Sequence, residues 1–342
     1  MKPYDNLGLL GKLRRKRRAA QKALEGFGVR DAKIRLMVDA GNTTYRVKTR
    51  DIYSIDSDLF VDDCFALRLH QPGYQEKESI NSELEWISAL HHEGLPVPEP
   101  IPSVNGELSI HVQTTGLPEP RQCSLLRWVK GRMVKKNVRP RHMREIGRLI
   151  GRFHDFVANW EPPRGFKRRH YDRNGLWGDD TGTEHKASEV IPKIPQRYVP
   201  AFKDVTSRVE QVMDEWGKGS DVYGLIHADL GTKANVVFCG GEARAIDFDD
   251  SGYGYWVYDL AVPMVDWQGE PEWHDFRESL LEGYSEVRSI PDYQLKRLEL
   301  FQAAFNAVEI FWGTAVTLHN PDSVYWIERR ENAWRQLSNY LK

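Results

Sequence analysis

The stretch YGLIHADLGTKANVVFCGGEARAIDFDD, Tyr223 to Asp250, constrains the fold more than any other part of the chain. Its runs YGLIH, NVVF and ARAIDF have strand composition and are separated by a polar loop and by the Gly240–Gly241 turn. Folded as strands, they bring Asp229, Asn235 and Asp247 toward one end of a compact strand-and-loop unit. Taken singly, each has a simpler explanation: Asp229 closes a turn, Asn235 caps a strand end, Asp247 sits on a solvated edge. Together they are two carboxylates and an amide oxygen, hard donors suited to magnesium and to a hydroxyl proton rather than to zinc. Phosphoryl transfer requires both tasks.

The rest of the chain leaves room for such a local site and little else. With 342 residues, 40% hydrophobic and 28% charged, it is long enough for two lobes around a continuous core. A formal net charge of -1 provides no global field for nucleic acid or an acidic membrane. The basic run Lys12 to Arg18 is the one exception, and Leu9, Leu13, Ala20 and Leu24 recur near helical spacing around it. That pattern predicts an amphipathic helix whose charges are solvated. At the N-terminus the positive charges follow a very short apolar patch, the wrong order for a secretory signal, and no apolar run is long enough to span a bilayer. Cys64, Cys123 and Cys239 lack CxxC spacing. The expected setting is the cytoplasm.

KIRLMVDA, TTYRVK and CFALRLH read as three short antiparallel strands, with turn-rich segments at Ala40–Asn42 and Asp51–Asp63. A helix follows over KESINSELEWISALHHEG, with Ile80, Leu84, Ile87 and Leu90 on one stripe and Gly94 as its stop. CSLLRWVKGR reads as another strand ending at Gly131, and from RPRHMREIGRLIGRFHDFVANW onward the pattern is mainly helical. The expected organisation is an N-terminal amphipathic helix (1–28), a sheet-bearing first lobe (29–126), a connection (127–132) and a mainly helical second lobe (133–342).

HADLGTKAN followed by IDFDD resembles the catalytic and metal-binding segments of kinase-like phosphotransferases: the aminoglycoside phosphotransferases, choline kinases and homoserine kinases. AGNTTYRVK is similar to their nucleotide loop, FALRLH to their third strand, SELEWISAL to their first-lobe helix and LLRWVKGR to their hinge. The likeness covers most of residues 30–270. It implies an α+β, two-lobed protein-kinase-like fold, with a small antiparallel-sheet N-lobe and a mainly helical C-lobe, and it implies ATP and Mg2+. In that resemblance Asp229 is the catalytic base, Asn235 and Asp247 are magnesium ligands, and Asp249 is a further metal or water ligand. His227 holds the catalytic loop, and Asp259 braces it or caps a helix. Asn42, Thr43, Thr44, Arg68, Glu83, Leu126 and Trp128 fall on the nucleotide-binding segments.

Arg68 and Glu83 are predicted independently to meet. Glu83 lies beside an apolar helix stripe and needs a cationic partner, and Arg68 alternates with Ala66 and His70 on one strand face. Their pair would stand where kinases have a strand lysine and helix glutamate, with arginine replacing lysine. A second departure is the loop DLGTKAN, in which Asn235 lies one position later than the kinase pattern places it. A bulge at Gly231 would absorb the extra residue; otherwise Asp249 must contribute more.

These features imply a phosphotransferase that uses ATP and Mg2+ to phosphorylate a hydroxyl of a small molecule. Two alternatives are a Ser/Thr protein kinase, disfavoured by the absence of an APE segment after IDFDD, and a nucleotide-binding regulatory module without turnover. YQLKRLELFQAAFNAVEIFWGTAV reads as one long helix with the stripe Leu298, Phe301, Phe305, Val308, Trp312 and Ala315, and with Asn306 and Glu309 at its margin. Glu309 is either solvated or faces a partly aromatic cavity. In the second case Glu309, Asp250, Trp267, Asn306 and Trp312 would form a site for an amine-bearing acceptor, such as an amino alcohol, hydroxy amino acid or aminoglycoside-like compound.

Overall fold

Strand alternation sorts the first part of the chain into a sheet with two unlike faces. The computed structural model describes residues 2–49, 51–52 and 63–341 and contains two units, Met1–Val129 with Arg164–Lys167, and Lys130–Pro163 with Arg168–Lys342. The turn-rich segment expected before Asp63 lies largely outside the described residues. The first unit comprises α1 (Leu9–Gly26), β1 (Val29–Arg30), β2 (Lys33–Ala40), β3 (Asn42–Thr49), β4 (Asp51–Ile52), β5 (Asp63–Leu69), α2 (Lys77–His92), β6 (Pro100–Ile101), β7 (Ser109–Val112) and β8 (Arg121–Arg127). Its antiparallel sheet runs β2-β3-β5-β8-β6, with β7 also paired to β8.

Phe65, Leu67 and Leu69 of β5 join Tyr45, Val47 and Leu125 in a core closed by Ala19, Ala20, Ala23 and Leu24 of α1. Each large apolar side chain buried there contributes about 1.5–3 kcal/mol. The expected helix is therefore present, but its stripe and charges differ from the reading above. Leu9 is exposed, while Arg15 is buried and donates to the carbonyls of Gly116, at 2.6 Å, and Lys2. Arg17 Nη1 donates to Ile34 O at 3.0 Å and Lys16 pairs with Asp39. Three cations of the basic run thus cap groups within the unit, because a long side chain can bury its stem and still carry its charge to a carbonyl.

The second unit comprises α3 (Pro140–Asn159), β9 (Arg169–His170), α4 (Arg173–Trp177), α5 (Ala187–Val190), α6 (Val199–Trp216), β10 (Tyr223–Ile226), β11 (Val236–Cys239), β12 (Glu242–Ala245), β13 (Gly252–Tyr255), α7 (Trp256–Val265), α8 (Trp273–Ser285), α9 (Asp292–Leu295), α10 (Leu298–His319) and α11 (Val324–Tyr340). β11 and β12 form a hairpin whose turn residues, Gly240 (φ 61°) and Gly241 (φ 94°), both occupy the left-handed region. β10 pairs instead with β13, which also takes β9 in parallel. GYGY gave no strand signal because its glycines lack the side chains that mark one. α3 and α8 cross closely at Gly147 and Gly283, where an added Cβ would come within 1.9 Å of Leu280 O and Arg144 O respectively. The single long helix expected from Tyr293 breaks between Leu295 and Leu298 into α9 and α10.

Candidate active site

The chain leaves β10 at Ile226 and turns sharply. Ala228 has φ 67°, a left-handed conformation that costs a residue with a Cβ about 1–2 kcal/mol. His227 is fully buried; its Nε2 lies 3.2 Å from Ile246 O, and its Nδ1 accepts from Asp229 N at 3.4 Å. Burial pushes its pKa below the ordinary histidine value. Neutral, with its proton on Nε2, it ties the loop to the end of β12 and has no ring nitrogen left for proton transfer.

The extra residue of DLGTKAN is taken up by a tight turn rather than by a bulge at Gly231 alone. Gly231 N donates to Ala234 O at 3.0 Å and Ala234 N returns to Gly231 O at 3.2 Å. Asn235, at φ 63°, then directs Nδ2 to Asp229 O at 3.0 Å and to Asp229 Oδ2 at 2.6 Å. Both partners are acceptors, so the amide orientation is determined and Oδ1 remains as its acceptor oxygen. Desolvation, and next the negative charge of Asp250, raise the Asp229 pKa well above the ordinary carboxylate range; Asp247 and Glu309 act in the same direction and Arg329 opposes them. A carboxylate so placed is a stronger base than an exposed aspartate.

Asp247 also has a left-handed φ, 64°, just beyond the end of β12. The following turn is held by Arg168, which the sequence gave no reason to single out. Its guanidinium is buried and donates to the carbonyls of Phe248 (3.2 Å), Asp249 (2.7 Å) and Ser251 (2.5 Å). Asn235 Oδ1, Asp247 and Asp249 offer only hard oxygen donors. Among the described residues no three His, Cys, Asp or Glu side chains are grouped as a metal cage.

Asp259, in the first turn of α7, is a brace rather than a helix cap. Its carboxylate is fully buried and accepts from Ala228 N at 2.7 Å, from His227 N at 3.2 Å and from His154 Nε2 at 3.1 Å. Desolvation opposes this charge, but His154, then His227 and the Ala228 N–H, outweigh it and lower the Asp259 pKa. His154 Nδ1 in turn lies 3.0 Å from Tyr284 Oη, a contact that the close α3–α8 crossing permits. His154 is 105 residues from Asp259, and the only sequence signal for it was a polar residue on the buried face of α3.

In the first unit, Arg68 Nη1 donates to Glu83 Oε1 at 2.9 Å, with Glu83 fully buried. Thr44 and Ser124 are the cross-strand neighbours of Arg68, and Leu126 is that of Ala66 two residues earlier. Thr44, Arg68 and Leu126 therefore share the sheet face opposite the α1 core. Thr43 lies on the other face, its hydroxyl donating to Asp39 at 2.5 Å, and Asn42 Oδ1 accepts from Gln71 N at 2.8 Å. Arg46 stacks over Trp128 at 4.7 Å.

The five residues assigned to the acceptor do not all converge. Asn306 is buried and satisfied by Gln268 Oε1 (2.7 Å) and Gln302 O (3.2 Å), so it belongs to packing. Trp267 packs edge-on against Phe276 beneath Lys233, whose Nζ is 4.8 Å from the ring centroid. Glu309 is neither solvated nor free: Arg329 of α11 grips it with both Nε and Nη2. Asp250 lies 3.7 Å from Arg169, and the Arg169 guanidinium lies 6.0 Å from the centroid of Trp312.

No helix among the described residues is long and apolar enough to cross a membrane. Residues 35–298 match the phosphotransferase enzyme family. Amicoumacin kinase of Bacillus subtilis is 23% identical over 279 residues, 77% of this chain and 74% of that protein. Homoserine kinase of Rhizobium rhizogenes is 26% identical over 227 residues, 65% of each chain. The solved structure of the amicoumacin kinase hAmiN in complex with AMP-PNP, Ca2+ and Ami superposes with a TM-score of 0.76 at 18% identity, covering 97% of this chain and 96% of that one. The match across most of the chain, on a two-part α+β architecture, means that the protein belongs to the phosphotransferase enzyme family and is a kinase of the protein-kinase-like fold.

Proposed function

We propose that the protein transfers the terminal phosphate of ATP, with Mg2+, to the hydroxyl of a small amine-bearing molecule. The observation that carries this reading is the Asp229–Asn235 contact. A carboxylate of raised basicity is held by an amide whose remaining oxygen is free to face a cation. Asp229 accepts the acceptor's hydroxyl proton and orients the attacking oxygen toward the phosphate. Asn235 Oδ1 and Asp247 are the proposed Mg2+ ligands, with Asp249 a further ligand directly or through water. So few protein donors suit an ion that retains waters and phosphate oxygens. Mg2+, when bound, offsets the negative charge of the phosphates. Arg68, fixed by Glu83, supplies a guanidinium to the nucleotide phosphates, with Thr44 and Leu126 on the same face.

His227 and Asp259 hold the loop that presents Asp229 and take no part in proton transfer. Just beyond Asp250 the chain enters β13 at Gly252 and α7 at Trp256, which leaves no segment after the metal ligands for docking a peptide. This favours a small acceptor over a protein. The relatives support the same reading, since amicoumacin kinase and homoserine kinase are named for small molecules. The test is a screen of hydroxylated amines, amino acids, sugars and antibiotics for acceptor-dependent ADP release with Mg-ATP. Release with an amine-bearing acceptor is expected. ATP binding with no turnover in any mixture would instead support a regulatory module.

A further inference from the structure

The loop that presents Asp229 is held at its start by Asp259, and a second hold lies near its end. The turn Gly231–Ala234 falls between two left-handed residues, Ala228 and Asn235. Thr232 in that turn is fully buried, but its hydroxyl has no hydrogen-bond partner. Among the described residues, the turn's polar side-chain contact is therefore made by Lys233. Its Nζ donates to Asp266 O at 3.3 Å, lies 4.0 Å from Asp266 Oδ1 and stands 4.8 Å from the centroid of the Trp267 ring. Asp266 is the C-cap of α7, where the last carbonyls and the helix dipole favour a cation. Trp267 is fixed in turn, edge-on to the buried Phe276 of α8 at 4.7 Å between ring centroids. Gln268, next in the chain, accepts from Asn306 Nδ2 at 2.7 Å through Oε1 and from Gln336 Nε2 at 3.1 Å through its carbonyl. The corner between α7 and α8 is thus tied to α10 and α11, and it offers a fixed seat for one ammonium.

We propose that Lys233 is a positioning residue: seated on Asp266 and Trp267, it holds the Gly231–Ala234 turn in the place that brings Asn235 onto Asp229. This rests on the phosphotransferase reading, in which the Asp229–Asn235 contact orients the base. α7 then grips the loop at two points: Asp259 in its first turn takes His227 N and Ala228 N, and its C-terminal end takes Lys233. The second grip matters because the turn carries one residue more than the kinase pattern. Its reciprocal bonds between Gly231 and Ala234 fix its shape but not its place against the helices. Lys233 is half-exposed, so the aromatic face and the helix end supply the hold, while water screens its pairing with the Asp266 carboxylate. An ammonium engaged in this way touches neither nucleotide nor acceptor. Its loss should therefore act on turnover rather than on affinity.

The experiment compares Lys233→Met, which keeps the stem and removes the charge, with Lys233→Arg, which can still stack on Trp267 and reach Asp266 O. Trp267→Leu removes the aromatic seat. Two readouts are taken on the full chain: acceptor-dependent ADP release with Mg-ATP, and amide hydrogen exchange over residues 229–235 without ligand. Lys233→Met should lower kcat by about 4–30-fold with both KM values within about twofold of wild type. Lys233→Arg should restore most of kcat, and adding Trp267→Leu to Lys233→Met should cost less than Trp267→Leu alone. Exchange should quicken in Lys233→Met and not in Lys233→Arg. Trp267→Leu carries the same expectations as Lys233→Met should that variant fail to fold. Wild-type kcat in Lys233→Met, a loss carried by either KM, an equal loss in Lys233→Arg, or unchanged exchange overturns the inference. If no acceptor supports ADP release by wild type, the phosphotransferase reading falls, and the exchange comparison alone decides the place of Lys233.

Discussion

Replacing Asp259 with asparagine keeps the shape of the brace and removes its charge, so it isolates what that charge holds. Asp259 serves three buried donors: Ala228 N, His227 N and His154 Nε2. An amide offers one oxygen and one NH2, and His154 can change tautomer to suit either. One of the two backbone N–H groups must nevertheless face an N–H. An orphaned buried donor costs about 1–3 kcal/mol, and the surviving bonds lose their charge assistance, giving a total of about 2–4 kcal/mol. In a unit of this size that is a fall in Tm of about 5–15 °C. Catalysis should suffer separately. With its N–H released, Ala228 gains about 1–2 kcal/mol by leaving φ 67°, which depopulates the loop geometry by a factor of about 5–30. The assay is thermal melting together with steady-state kinetics. We expect kcat to fall by that factor at nearly constant nucleotide KM, and Ala228→Gly in the Asp259→Asn background to restore part of kcat, because glycine adopts this φ without strain. A variant that melts within about 1 °C of wild type, or a double variant slower than Asp259→Asn, would refute the reasoning.

Arg68→Met should raise the nucleotide KM and lower kcat, with Glu83→Gln a milder form of the same defect. Their combined effect should fall short of additive by about 0.5–3 kcal/mol, and additive losses would mean that the pair does not act as a unit. Asp247→Ala should weaken Mg-nucleotide binding and turnover together. Asn235→Ala should lower turnover with a smaller loss of binding, since its amide also holds Asp229; negligible effects in both would move the metal elsewhere. His154 and His227 are held neutral by burial, so their folded-state pKa values lie below the unfolded value. Below about pH 6.5 the unfolded chain takes up protons that the folded one refuses, so stability falls as pH drops, by up to about 1.4 kcal/mol per pH unit for each histidine. Asp229, whose pKa is raised, acts in the opposite direction, so the test is the difference between proteins: in denaturant titrations at pH 5 and 7, His154→Gln should lose less stability on acidification than wild type.

The parts legible in the sequence are those in which one residue's neighbours in the chain are also its neighbours in space. Alternation in FALRLH separates Arg68 from the core, and the stripe of α2 turns Glu83 inward, so their pair could be expected before it was seen. The reach from Asp229 to Asn235 also stays within one loop, although the reciprocal Gly231–Ala234 turn that accommodates the extra residue was not anticipated. Contacts between distant helices were hidden. Nothing near Glu309 announces Arg329, nothing near Asp259 announces His154, and Arg168 reads as one of several basic residues until its guanidinium is seen capping three carbonyls. Three of the five acceptor residues, Asn306, Glu309 and Trp312, were drawn from one helical stripe and its margin, but α10 is buried nearly all round. Periodicity therefore could not distinguish the packed Asn306 from Glu309.

The central claim is that Asp229 acts on the acceptor rather than on the nucleotide, and Asp229→Asn tests it most directly. The measurement pairs acceptor-dependent ADP release with the affinity for Mg-ATP in wild type and variant, using an acceptor identified in the screen. Loss of a positioned general base predicts a fall in kcat of about 10²–10⁴, with nucleotide affinity nearly unchanged. Wild-type turnover in Asp229→Asn, or a loss of activity fully explained by weaker Mg-ATP binding, would contradict the account.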